Sequence, residues 1–224
     1  MQRLLPGVLG LALLCCGLAV AQEKPPIVLG LHADMSSGSA VAGEAIRRGM
    51  LIALSEINAQ GGLLDGRKLE LVVMDHHGVP ARATEQLPEL ARTPHLVAIL
   101  AGLHSPPVMQ NLGFIHEHQL IVVSPWAAAT GMVQHGLKPN YIFRISADDE
   151  QVGEFLAAQA LARGHERLGV ILEKTAWGRS TAQAISEALA RHHLTPASLS
   201  PSDYKLATFN AWGVLVLSHD RGPP

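Results

Sequence analysis

Three short stretches concentrate the residue types able to hold a small solute. SPWAAAT (124–130) places a proline, a large indole, three nearly bare alanines and a threonine directly after the apolar run 120–123. GLHSPP (102–107) follows the run 96–101, and TAWGRS (175–180) follows 168–173. In SPWAAAT a helix is expected to begin near Ala127 or Ala128. Unpaired N–H groups point out of a first helical turn, and the positive end of the dipole favours an anion there. Alanine side chains leave that backbone approachable, Thr130 adds a hydroxyl, and Trp126 supplies a flat apolar wall. The competing expectation is that Trp126 packs under the helix and the alanines merely propagate it. In GLHSPP, Ser105 is placed to cap the next helix and Pro106 suits its first turn. A capping serine at such an edge can also present its hydroxyl to a bound carboxylate. Trp177 puts a second aromatic ring on a strand-to-helix corner, so that two rings on opposed loops would sandwich an organic solute.

Other chemistries are weaker. Ser105 lacks the flanking glycines of the G-x-S-x-G elbow, Ser180 in GRST fares no better, and no general base has a named partner. A periplasmic hydrolase or metal-binding protein therefore remains the alternative of another class. Histidine is frequent, at 12 residues. His76 and His77 are adjacent and point apart in most backbones, while His116 and His118 at i, i+2 fall on different helix faces. With no HExxH spacing, exposed or hydrogen-bonded histidines are favoured over a zinc site. No catalytic residue, metal or cofactor is expected.

The elements that must position these loops read as strands at 27–31, 69–74, 96–101, 120–123, 141–145 and 168–173. Between most of them lie stretches of helical spacing, such as 40–60 with Gly61-Gly62 as its stop. This alternation predicts an α/β chain, mostly parallel sheets with helices on both faces. Ligands bind such sheets beyond the carboxyl ends of the strands, where all three stretches fall. Asp148, Asp149 and Glu150 are read as charges stabilising the dipole of a helix start.

At the N-terminus, one cation, an apolar stretch from Leu4 to Val20 and Ala19-Val20-Ala21 have the pattern of a cleaved secretory signal, 1–21. Both cysteines lie inside it, so no disulfide or thiolate site is expected afterwards, which suits a periplasmic protein. The 17 basic and 19 acidic residues form no long block of one sign, which argues against nucleic acid as a partner.

Taken in order, ADMSSGSAVAGEAIRRGMLIALSEINAQGG, MDHHGVPARA, GLHSPPVM, SPWAAAT, FRISADDE and ILEKTAWGRS resemble the periplasmic solute-binding proteins typified by the leucine/isoleucine/valine-binding protein of branched-chain amino-acid ABC transporters. The resemblance runs from about Ile27 to about Thr195. It implies a two-lobe fold that closes on its ligand, with an N-terminal lobe at 22–143, a first crossing at Phe143 to Ser146, and a partial second lobe at 144–224 ending in an atypical tail. It implies that Ser105, with the backbone and hydroxyl of Ala127, Ala128 and Thr130, holds a ligand carboxylate, and that Trp177 is an aromatic wall on the second lobe. The expected partners are a small carboxylate-bearing solute, such as an amino acid or amide, and a membrane permease. Trp126 stands where the family has a small residue, and the threonine comes two places late. After about Ala197 the resemblance stops, so the second lobe is expected to be incomplete and a truncated, non-binding product is one alternative. With no membrane span at its end, the chain is read as a transport component rather than a sensor domain.

Overall fold

A computed structural model describes residues 24–202 and 214–217. The expected export signal and most of the tail lie outside the described residues. The elements run β1 (Ile27–Ala33), α1 (Ala40–Ala59), β2 (Leu69–Asp75), α2 (Pro80–Ala91), β3 (Leu96–Ala101), α3 (Ser105–Gln110), α4 (Leu112–Glu117), β4 (Val122–Ser124) and β5 (Ile142–Arg144). There follow α5 (Asp149–Ala162), β6 (Leu168–Glu173), α6 (Ala176–Ala190), β7 (Ser198–Ser202) and β8 (Val214–Leu217).

The first five strands form one parallel sheet in the order β2-β1-β3-β4-β5. Side chains alternate along each strand, and the alternation sends them into two cores. Ile27, Leu31, Ala33 and Leu69 join Met50 and Leu54 of α1 on one face. Ile99, Ala101 and Val122 join Leu87, Leu90, Val108 and Ile115 from α2, α3 and α4 on the other. Both faces are covered, as the continuous apolar runs require.

The second sheet is smaller, in the order β7-β6-β8. Leu168, Val170 and Leu172 of β6 pack on Ala157 and Ala160 of α5 and Ile185, Ala188 and Leu189 of α6. The sheet is mixed, because β8 runs antiparallel to β6. Among the described residues its helices cover one face, and Ile171 on the other is 39% exposed. The polar, proline-bearing β7 carries no strand pattern of its own and owes its conformation to parallel pairing with β6.

Helix starts sit hard against the strands before them. A Cβ at Gly178 would collide with the Glu173 carbonyl, so only glycine admits α6 at this distance from the end of β6. Gly43 plays the same part for α1 against the Asp34 carbonyl.

Candidate functional site

At the carboxyl ends of the strands of both sheets lies a cavity of about 80 Å³. Ser105, Trp126, Ala128 and Trp177 line it, so four of the six expected site residues converge. His104 and Glu173, which the sequence reading passed over, line it too. The two indoles come from segments that follow strands of different sheets. Ala127 is 2% exposed and belongs to the core behind. Thr130 lines a neighbouring polar cleft of about 480 Å³ with Gln134, Arg179 and Ser180.

The SPWAAAT corner does not start a helix at Ala127 or Ala128. Its one helical feature is a 3-10 turn at Thr130–Met132. Ala127, Ala129 and Met132 are drawn into the core beside Ile142, and that burial holds the segment out of a helix. Its backbone is paired elsewhere: Ala129 donates its N–H to Ser105 Oγ (3.2 Å), and Ala128 O accepts from Asp149 N (2.9 Å). Arg144 Nη1 donates to Ala129 O (3.1 Å), and Ser180 Oγ accepts from Thr130 N (3.0 Å). The Thr130 hydroxyl accepts from Glu150 N (3.2 Å).

Ser105 is likewise not a cap. His104 occupies that position with extended backbone and no side-chain bond, and Ser105 is the first helical residue. A proline at the next position removes a donor that the first turn cannot use, which is why the helix starts here. The 2% exposed Ser105 hydroxyl thus faces Ala129 rather than its own helix.

Beside the Ala128 corner, α5 begins with a reciprocal capping box. Asp148 accepts from Gln151 N while Gln151 reaches back to Asp148 N. Arg144 Nη2 donates to Asp148 Oδ2 (2.6 Å). Asp149, expected only as a dipole charge, is 3% exposed and accepts the Trp177 indole N–H at Oδ1 (3.0 Å). Its Oδ2 has no hydrogen-bond partner. Burial raises its pKa, against the opposing pull of Ser180, Trp177, Thr181 and Arg144. Trp177 sits in the first turn of α6, whose cap is Thr175 accepting from Gly178 N (3.1 Å).

Behind His104 lies a buried histidine group. The His76 ring meets His32 edge-on at 5.0 Å and His104 at 6.3 Å between centroids. Burial, with the neighbouring His32 and His104, depresses His76 to about 4, and burial lowers His32 against its contact with Gln86. His104 Nε2 lies 3.7 Å from Asp34 Oδ2, beyond hydrogen-bond reach. Burial tends to raise the Asp34 pKa, but bonds from Ser37, Ser39 and Ser36 outweigh it and hold the carboxyl ionised. Asp34 thereby fixes the loop entering α1. Among the described residues no group of three His, Cys, Asp or Glu could hold a metal ion. His77 indeed points away from His76, towards Ser36 and Asp75, and His116 and His118 each bond the carbonyl four residues back.

A family profile described as periplasmic binding protein matches residues 26–216. The chain belongs to that family. The Leu/Ile/Val-binding protein BraC3 of Rhizobium johnstonii is 24% identical over 79% of this chain and 48% of its own length. Among solved structures, a solute-binding protein of an ABC transporter from R. palustris, in complex with benzoate, superposes with a TM-score of 0.70 at 22% identity, covering 80% of this chain and 49% of that one. The branched-chain amino-acid substrate-binding protein LivJ of Streptococcus pneumoniae, in complex with isoleucine, gives 0.65 at 20% identity, covering 79% and 49%. The chain spans about half the length of the curated relatives it matches. The family is one of solute-binding proteins and is non-enzymatic.

Proposed function

We propose that this periplasmic binding protein reversibly captures a small carboxylate-bearing solute such as a branched-chain amino acid, or an amide, for an ABC transporter permease. The reading rests on one observation: two tryptophans and a buried serine, from segments that follow strands of two different sheets, meet at a single cavity. Residues 22–143 act as one lobe and 144–224 as part of a second, with export directed by 1–21. The Ser105 hydroxyl has its acceptor side engaged by Ala129 and keeps its hydrogen for a ligand oxygen. Trp126 and Trp177 cover the apolar part of the solute. At about 80 Å³ the cavity is well below the ~300 Å³ of ordinary ligand sites, so entry requires the two walls to part and capture requires them to close again. Closing excludes water, and hydrogen bonds gain strength in the drier cleft. A permease would then read the closed state, which the ligand stabilises.

The paired indoles favour a second ligand class, an aromatic carboxylate, and one similar structure holds benzoate. Calorimetry of the full chain with L-leucine, L-isoleucine, L-valine, their amides and benzoate separates the two. Saturable heat with one of them, weakened in Ser105→Ala and Trp177→Ala, is the expected result. No heat from any at millimolar concentration would remove the proposal.

A further inference from the structure

Asp149 is one residue that links the two walls of the cavity, through its backbone on one side and its carboxyl on the other. Asp149 donates its main-chain N–H to Ala128 O (2.9 Å) on the wall that Trp126 shares, and accepts the indole N–H of Trp177 (3.0 Å) on the wall opposite. We infer that Asp149 is the positioning residue of the cleft: it sets the pose of the Trp177 ring over the solute and holds that ring in register with the Ala128 corner. This rests on the solute-binding reading above.

The arrangement goes beyond what a helix start needs. Asp148 already supplies the cap of α5, complete with its reciprocal partner, so Asp149 is not required for that purpose. A carboxyl 3% exposed with one oxygen unpartnered is expensive to bury, and its bond to the indole fixes a defined geometry. An indole has a single donor, so one acceptor in fixed position removes the ring's freedom to swing. The charged groups around Asp149 are Arg144 of β5 and, on its own turn, Asp148 and Glu150. From α6 it meets the uncharged Trp177, Ser180 and Thr181.

The test uses the full chain labelled at the indole nitrogens. Its tryptophans are Trp126, Trp177 and Trp212, and Trp177→Phe assigns the resonance of interest. In Asp149→Asn, which keeps an acceptor oxygen, the Trp177 N–H resonance should stay near its original position and L-leucine affinity within about threefold. In Asp149→Leu the resonance should move towards that of an unbonded indole and affinity should fall tenfold or more. Should the leucine variant fail to fold, the wild-type resonance is followed from neutral to acid pH. It should shift with a single protonation that Asp149→Asn abolishes. A Trp177 resonance indifferent both to Asp149→Leu and to pH would overturn the inference, as would a displaced resonance with unchanged affinity. If L-leucine gives no heat with the wild type, the amino-acid reading fails by itself, and the indole resonance alone decides the role of Asp149.

Discussion

Ala129 and Ser105, 24 residues apart, are joined by a buried hydrogen bond of 3.2 Å from the Ala129 N–H to the Ser105 hydroxyl. It couples the corner after β4 to the first turn of α3, the two loops that form one side of the cavity. A serine read from its neighbours as a helix cap is in fact a tertiary strut.

Ser105→Ala should therefore cost stability as well as affinity. It strands a buried N–H, a loss of about 1–3 kcal/mol in denaturant unfolding. Solute affinity should fall further than in Thr130→Val, because Thr130 lies in the neighbouring cleft and its hydroxyl is engaged by Glu150. Calorimetry that ranks the two variants the other way round would move the site towards that cleft.

Removing either indole should weaken binding without unfolding the chain. Trp126 and Trp177 are each only partly buried, so the core survives their loss. Aromatic contact beyond simple burial is worth about 0.5–1.5 kcal/mol, and Trp126→Ala and Trp177→Ala should each lose at least that much. Fluorescence of the Trp126→Phe protein should still respond to ligand through Trp177; silence there would remove Trp177 from the site.

Acid should destabilise the protein through His76. Its folded pKa, about 4, is below the ordinary 6.5, so the unfolded chain binds the extra proton between those values. The stability at stake is fully present above pH 6.5 and is lost as pH falls towards 4. A difference of that size is worth on the order of a few kcal/mol. His76→Gln should flatten that slope in denaturant midpoints measured from pH 7 to 4.

Asp149 should act with the opposite sign. Its folded pKa is raised by burial above the ordinary 3.8, so the folded chain holds the proton longer. Its favourable contribution is complete below 3.8 and disappears as pH rises through the raised value. Asp149→Asn should thus gain melting temperature relative to wild type at pH 7, with the gain shrinking in acid. Equal shifts at both pH values would mean that the carboxyl is not desolvated.

Local pattern was enough for much of this molecule. Uninterrupted apolar runs determined buried parallel strands, since a strand covered on both faces has no polar side to show. Strand-to-helix alternation placed the candidate loops at one edge; Trp126 and Trp177 stood out there because aromatic residues make up only 4% of the chain, and Ser105 because it stands at a helix start. The helix start at Asp148 was legible as a run of acidic residues, while its capping box with Gln151 emerged only in the structure.

What sequence alone could not decide were relationships between distant residues. Three alanines have high helix propensity, yet Ala127 and Ala129 are buried against Ile142 and Met132, and core burial outweighs the fraction of a kilocalorie that propensity offers each. Asp149 looked like one more dipole charge until α6 brought Trp177 within 3.0 Å of it. His104 and Glu173 became wall residues only where the carboxyl ends of strands from two sheets meet. Periodicity is written in neighbours along the chain, whereas a cavity is defined by surfaces that the chain brings together last.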